Sequence, residues 1–120
     1  MSDFTGPVSI ATAAHYMWGD RCDGWHLVQA PGLSVIQERM PPGTAEVRHR
    51  HVTARQFFFV LAGELTMEIG GIVATVPAGA GCEVPPGCAH QVLNRSAAVV
   101  DFLVISQPPS HGDREPAPSA

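Results

Sequence analysis

Two histidines one residue apart, His49 and His51, lie in the stretch RHRHVTARQF. On an extended strand, residues two apart point to the same face, so these two imidazoles project together, away from Arg48 and Arg50. Two neighbouring imidazoles can chelate a metal ion. The pattern is also compatible with two hydrogen-bonded, half-buried side chains.

Two further residues favour the metal interpretation. Gln56 follows His51 by five positions, a separation that lets a short turn bring the next strand's first inward residue opposite the pair. His90 begins another apolar segment, directly after a turn rich in proline and glycine. In a barrel, the inward residues of neighbouring strands converge, so these side chains could bind one ion and leave positions for water or substrate.

The elements that must position these residues are short strands. The chain has eleven prolines and twelve glycines, and they separate short segments rich in valine, isoleucine, phenylalanine and leucine. This spacing predicts an all-β barrel or sandwich. We assign residues 25–106 to the barrel, residues 1–24 to an N-terminal arm or lid, and residues 107–120 to a proline-rich, disordered tail.

Composition limits the classes of function. The 120 residues fit one domain, and eleven acidic residues against seven arginines and no lysine disfavour nucleic-acid binding and exclude Schiff-base chemistry. Three cysteines without a Cys-x-x-Cys pair argue against a disulfide framework. We see no signal peptide or membrane-spanning run, so we expect a cytoplasmic protein without a membrane partner.

Two motifs resemble those of the cupin superfamily. The first, G-x5-H-x-H-x3,4-E-x6-G, matches Gly43, His49, His51, Gln56 and Gly63, with glutamine where the family has glutamate. The second motif, G-x5-P-x-G-x2-H-x3-N, has every position filled, and its matching residues are Gly79, Pro85, Gly87, His90 and Asn94.

The resemblance implies a double-stranded β-helix, or jelly roll, with one divalent transition metal (Fe, Mn, Ni or Zn) inside one mouth. The implied metal ligands are His49, His51, Gln56 and His90, whereas Asn94 is implied to be a scaffold residue. The motif glycines are expected at turns that need a positive φ or a close backbone approach. The resemblance also implies a homodimer built by sheet extension.

Glutamine in place of glutamate changes the charge of the implied site. A carboxylate would cancel one of the ion's two positive charges, whereas an amide oxygen cancels none. A neutral ligand set favours Lewis-acid chemistry and disfavours cycling through a trivalent metal. The alternative is that Gln56 only hydrogen-bonds a ligand histidine.

Other candidate site residues come from polar or aromatic side chains in apolar surroundings. Asp101 interrupts VVDFLVIS and is a candidate general base, although it could instead pair with Arg39 or Arg95. Glu38 and Arg39 have opposite parities, so only one of them faces the pocket. Phe58 shares the parity of Gln56 and is expected in the pocket wall. The aromatic cluster near the start, which could cover or plug the barrel mouth, comprises Tyr16, Trp18, Trp25 and His26.

Three classes of function are compatible with these residues. The first is a Lewis-acid isomerase, lyase or ring-opening enzyme that acts on a small polar, metal-chelating metabolite. It is similar to small cupins that convert unsaturated uronates. The second is an oxygen-dependent dioxygenase with the same three histidines, and the third is a binding cupin without chemistry of its own.

Overall fold

The computed structural model describes residues 4–118, and all of its regular elements are β-strands. They are β1 (Ala14–Trp18), β2 (Cys22–Ala30), β3 (Leu33–Met40), β4 (His49–His51), β5 (Arg55–Ala62), β6 (Glu64–Ile69), β7 (Ile72–Pro77), β8 (Gly81–Val84), β9 (His90–Leu93), β10 (Val100–Gln107) and β11 (Arg114–Pro116). Within residues 4–118, no helix is long and apolar enough to cross a membrane. The prediction of an all-β fold is therefore confirmed.

The strands form two antiparallel sheets that face each other. The six-stranded sheet has the order β1-β2-β3-β10-β5-β8, and the five-stranded sheet has the order β11-β4-β9-β6-β7. Neighbours such as β3 and β10 are distant in sequence, as in a jelly roll. This arrangement places β4 and β9 in one sheet and β5 in the other.

The core lies between the sheets and follows the two-residue period of the strands. On β10, Val100, Phe102, Val104 and Ser106 are buried, and the residues between them are not. On β5 the buried positions are Gln56, Phe58 and Val60. Gln56 and Ser106 are the polar residues on these inward faces. They are buried because they alternate in step with the apolar core positions of their strands.

The motif glycines occupy backbone conformations that other residues rarely adopt. Gly43, Gly63, Gly79 and Gly87 all have positive φ, as expected. At Gly63 there is also no room for a side chain, because a Cβ would lie 2.5 Å from the carbonyl oxygen of Val99. The Asn94 amide donates to the carbonyl oxygens of Met40 and Ala98, both at 2.9 Å, which is consistent with a scaffold role.

The chain ends differ from the predicted arm and tail. Residues 14–24, expected in a separate arm, include β1 and the start of β2, which extend the six-stranded sheet. Residues 107–118, expected to be disordered, include β11, which pairs with β4. Composition misled the second prediction, because the partners that order this segment lie about 60 residues away in sequence. Residues 1–3 and 119–120, which the same predictions covered, lie outside the described residues.

Candidate metal centre

Three histidines meet in the space between the sheets. His49 and His51 lie on β4, and His90 begins β9 directly opposite His49. All three side chains are buried. Each offers one ring nitrogen, and these atoms all lie within 4.8 Å of one another. The structure therefore brings together the three histidines that the sequence predicted.

Backbone carbonyls fix the protonation of two of these rings. A carbonyl oxygen can only accept, so Nδ1 of His49 donates to Val47 O at 2.7 Å and Nδ1 of His90 donates to Cys88 O at 3.0 Å. In the neutral rings, Nε2 is then an unprotonated nitrogen with a free lone pair. Metal-binding histidines are typically held in this way.

The inward nitrogens are close to each other and short of partners. Nε2 of His49 and Nε2 of His51 lie 3.1 Å apart, and Nε2 of His90 is buried without a hydrogen-bond partner. Because the proton of the neutral His49 ring is on Nδ1, either the Nε2–H of His51 donates to Nε2 of His49 or a cation lies between the two nitrogens. A metal ion would satisfy all three nitrogens at once.

Burial keeps these histidines neutral. It lowers the pKa of His49 and of His51 to about 4, with smaller contributions from neighbouring positive charge. Burial also lowers the pKa of His90. At neutral pH, protons therefore compete only weakly for these ring nitrogens. The neutral imidazole is the form that binds metal.

Gln56 reaches the same space from the opposite sheet. It is buried on β5, and its Nε2 donates to Ser106 Oγ at 3.0 Å. This bond directs the amide nitrogen toward β10, and the carbonyl oxygen Oε1 is buried with no hydrogen-bond partner. An orphaned buried oxygen is costly unless a ligand satisfies it.

These donors fit a divalent transition metal. Four buried side-chain polar atoms in residues 4–118 lack partners, and two of them, Oε1 of Gln56 and Nε2 of His90, are atoms that would bind the ion. Imidazole-rich sites suit zinc, iron, nickel and copper, and an amide oxygen is an acceptable fourth donor. The arrangement can hold one ion between the two sheets.

A cavity of about 270 Å³ adjoins these residues. Phe58 lines it, as predicted, and the Phe58 ring centroid lies 6.0 Å from that of His90. The other lining residues are Tyr16, Ile36, Glu38, Glu46, His49, His51, Gln56, Val104, Ser106, Ser110, His111, Gly112 and Arg114. An outer groove of about 790 Å³ shares Tyr16, Ile36, Ser110 and His111 with the cavity. A small molecule has room beside the histidines.

Glu38, not Arg39, faces the cavity. The hydroxyl of Tyr16 donates to its Oε2 at 3.1 Å. Burial raises the pKa of Glu38 to about 7, although the bond from Tyr16 opposes this shift. A carboxyl group with this pKa can both accept and release a proton near neutral pH.

Asp101 is placed outside the site, which corrects its assignment as a candidate general base. Its carboxylate accepts two bonds of 2.8 Å from Arg39, through Nε and Nη2. Asp101 and Arg39 lie on the outer face, where the Arg39 guanidinium also covers the Trp25 ring at 5.1 Å. The polar interruption of an apolar strand is therefore explained by an ion pair, the alternative that the sequence left open.

Two charged cavity residues were missed by the sequence argument. Glu46 lies in the loop before β4, where its Oε1 accepts from Val92 N at 3.1 Å, and burial raises its pKa well above the usual range. Arg114 belongs to the segment predicted to be disordered. Glu46 lies outside the strands, and Arg114 begins a strand of only three residues, which is too short to show a periodic pattern.

Comparisons with known proteins agree with this fold and site. A family model described as a cupin domain, Cupin_2, matches residues 36–106. This is more than half of the chain, and it includes all four candidate ligands. The chain therefore belongs to the cupin family.

A curated relative and several solved structures are also similar. An uncharacterized protein of Methanocaldococcus jannaschii, MJ1618, is 28% identical over 83 residues, and the match covers 68% of this chain and 66% of that protein, just under two thirds. A predicted oxalate decarboxylase from Thermotoga maritima has a TM-score of 0.78 at 18% identity, over 85% of this chain and 98% of that one.

Two further solved structures have similar scores. A cupin-superfamily sugar phosphate isomerase from Silicibacter pomeroyi has a TM-score of 0.77 at 21% identity, over 87% of this chain and 76% of that one. The polyketide cyclase RemF from Streptomyces resistomycificus has a TM-score of 0.81 at 14% identity, over 98% and 88%. At these identities the similarity shows the fold alone.

Proposed function

We propose that this protein is a metal-dependent cupin enzyme that acts without net redox change on a small polar, metal-chelating metabolite. His49, His51, His90 and Gln56 would hold one divalent ion of iron, manganese, nickel or zinc. When bound, the ion supplies Lewis-acid polarisation of a chelated oxygen. Isomerisation, elimination and ring opening are the reactions that such polarisation assists.

The observation that carries this proposal is the neutral ligand set. Three uncharged imidazoles and the free carbonyl oxygen of Gln56 leave both positive charges of the ion uncompensated by its ligands. Uncompensated charge strengthens polarisation of a bound oxygen and disfavours a trivalent state. The dioxygenase alternative requires the same three histidines, and oxygen uptake during turnover would separate it from the proposal.

Glu38 and Tyr16 provide the proton transfer that the proposed reactions need. Glu38 lines the cavity and its pKa of about 7 lets the carboxylate take a proton from a substrate carbon or hydroxyl and return it elsewhere. Tyr16 orients that carboxylate through its hydroxyl. Phe58 and Val104 supply apolar walls that limit the water around the exchanging proton.

The names of similar proteins are compatible with this reaction class. An isomerase and a cyclase are among the solved structures with this fold. Their low sequence identity means that they support a fold able to host such chemistry, and no particular substrate.

Metal content is the experiment that tests the proposal. We expect about one divalent ion per chain in protein purified without an affinity tag or chelator, measured by elemental analysis. His49→Ala and His90→Ala should lose the ion because each removes a direct ligand. The matched control is His15→Ala, since His15 is half-exposed, bonds to Asp23 and does not line the cavity.

Two results would contradict the proposal. One is stoichiometric metal retained in both ligand variants, and the other is wild-type protein that takes up no divalent ion during dialysis. Circular dichroism of the variants would show whether a lost ion reflects a lost fold. A full complement of metal with stoichiometric oxygen consumption would instead establish the dioxygenase.

A further inference from the structure

The segment that follows β10 returns across the mouth of the metal cavity. Ser110, His111, Gly112 and Arg114 all line that cavity. Asp113 fixes the position of this segment, because its carboxylate accepts hydrogen bonds from the backbone N–H groups of residues 52, 53 and 54 at 2.8–3.0 Å. The segment is thus tied to the residues that directly follow His51.

Strand pairing aims Arg114 at the metal ligands. In the β11–β4 pair, Arg114 lies opposite His51 and Pro116 lies opposite His49. Side chains of directly opposed residues in an antiparallel pair point to the same face. Because His51 points into the cavity, Arg114 does so too, at the solvent-exposed mouth.

The guanidinium of Arg114 has donors to spare. Among the described residues, its one hydrogen bond runs from Nη2 to Val47 O at 3.2 Å. No carboxylate of residues 4–118 lies within ion-pairing distance of it, whereas Arg39, Arg48, Arg50 and Arg55 all pair with acids. A guanidinium carries five N–H donors, arranged to grip a carboxylate with two parallel bonds.

The positive groups at the cavity favour an anionic occupant. Two carboxyl groups, Glu38 and Glu46, also line it, and burial raises the pKa of both, which weakens their opposing negative charge. The proposed ligand set is neutral, so a bound dication and Arg114 would place positive charge on two sides of a cavity of about 270 Å³. At ~30 Å³ per water, this space holds about nine water molecules, enough for a small organic acid. An anion that contacts both the guanidinium and the metal position would compensate both positive charges.

We infer that Arg114 binds a carboxylate of the substrate, so the substrates of this protein are small metal-chelating organic acids. This inference rests on the metal centre proposed above, since the acid would contact the ion and the guanidinium together. The C-terminal segment, which no metal-binding motif includes, then determines specificity. Arg114 is a substrate-binding residue with no part in holding the ion.

The test is calorimetric titration of manganese-loaded protein with oxalate, and with imidazole as a neutral probe that binds metal. Arg114→Gln should weaken oxalate binding ~10- to 100-fold, the effect of losing a hydrogen-bonded charge, with imidazole affinity unchanged. Arg114→Lys should recover part of the loss. The matched control is Arg50→Gln, on the neighbouring strand, because Arg50 is exposed and pairs with Glu115 at 3.0 Å.

Equal oxalate affinity in wild type and Arg114→Gln, with full metal in both, would overturn this inference and leave the proposed function standing. Arg114-dependent binding of oxalate to a chain that takes up no metal would overturn both the proposed function and the metal-chelating part of this inference, and would leave only the contact between Arg114 and a carboxylate standing. If inorganic phosphate shows a larger Arg114 dependence than oxalate, the assignment to carboxylic acids is wrong.

Discussion

A single amide, that of Gln56, would set the charge of the proposed metal centre. Gln56 is held by Ser106 so that its oxygen, and not its nitrogen, lacks a partner. The glutamine is therefore positioned as a neutral oxygen donor, which makes the glutamate-to-glutamine departure from the family motif chemically informative.

Gln56→Glu tests that interpretation directly. A carboxylate adds a charge to the ligand set, so we expect metal affinity to rise ~10-fold or more, as charge-assisted bonds are roughly twice as strong as neutral ones. Competition with a chelator measures the change, and the rate of any non-redox reaction should fall. An unchanged metal affinity would mean that Gln56 does not contact the ion.

Glu38 should leave a signature in the pH dependence of stability. Its folded-state pKa of about 7 exceeds the ordinary value of 4.5, so the folded state is stabilised below pH 4.5 relative to higher pH, and this contribution is lost as pH rises to about 7. In metal-free protein, Glu38→Gln should therefore stabilise the fold at pH 8 by up to ~3 kcal/mol. Urea unfolding at pH 4.5 and pH 8 compares the two chains.

The three histidines change the free energy of unfolding with pH in the opposite direction. They are present in both Glu38→Gln and wild type, so subtracting one free energy from the other at each pH removes their contribution. Since their pKa values are lowered, to about 4 for His49 and His51, their contribution is present above pH 6.5 and is lost as pH falls toward 4. A Glu38→Gln effect that is the same at both pH values would show that Glu38 titrates normally in the folded protein.

Asp101 provides a contrasting case, a half-buried carboxylate that pairs with Arg39 outside the cavity. Asp101→Asn should lower the free energy of unfolding by ~1 kcal/mol, because it weakens a bidentate pair whose Arg39 side chain is 36% exposed. Metal content and turnover should stay at the wild-type level. Loss of turnover with an intact fold would restore Asp101 as a candidate base.

At the scale of elements, strand periodicity explains which parts of the site were predictable. His49, His51 and Gln56 lie on β4 and β5, and His90 begins β9, so alternation and turn residues indicated that they could converge, and the motif resemblance implied that they form one ligand set. Five strands coincide with the apolar segments between the proline and glycine turns, namely β3, β5, β6, β9 and β10. Glu46 lies in a loop, so alternation gave it no position.

The role of the C-terminal segment could not be predicted in the same way. Its order depends on Asp113 meeting three N–H groups from residues 52–54, a contact that only the folded chain creates. A proline-rich composition predicts disorder for an isolated segment. This segment is ordered by its contacts with residues 52–54 and with β4. The same reasoning applies to β1, which is ordered as the edge of a sheet that other strands build.

Asp113→Ala should therefore loosen the segment without removing the metal. The backbone N–H bonds hold the pKa of this carboxylate below its usual range, so the interaction is a charged one at neutral pH. We expect faster hydrogen exchange at residues 52–54 and 110–117 and weaker binding of oxalate, with the metal stoichiometry unchanged. Wild-type exchange in both segments would show that Asp113 is not the anchor.

For the whole molecule, the homodimer remains a prediction. The outermost strand β1 leaves one edge of the six-stranded sheet unpaired, and Met17 on that strand is 64% exposed. Light scattering should give twice the chain mass of 12.7 kDa. Met17→Lys should produce monomers if the sheets join at β1, because lysine on an edge strand opposes pairing. The control is Ile72→Lys, at the exposed edge of the other sheet.

The placement of the four donors has a consequence for folding. Three of them belong to the five-stranded sheet and Gln56 belongs to the six-stranded sheet, so a bound ion would be a cross-link between the two halves of the sandwich. By mass action, a ligand at 1,000 times its Kd adds ~4.1 kcal/mol to the stability of the folded state. The melting temperature of this protein would then rise with the free concentration of its metal. The free energy of unfolding would therefore depend on metal supply in the cell.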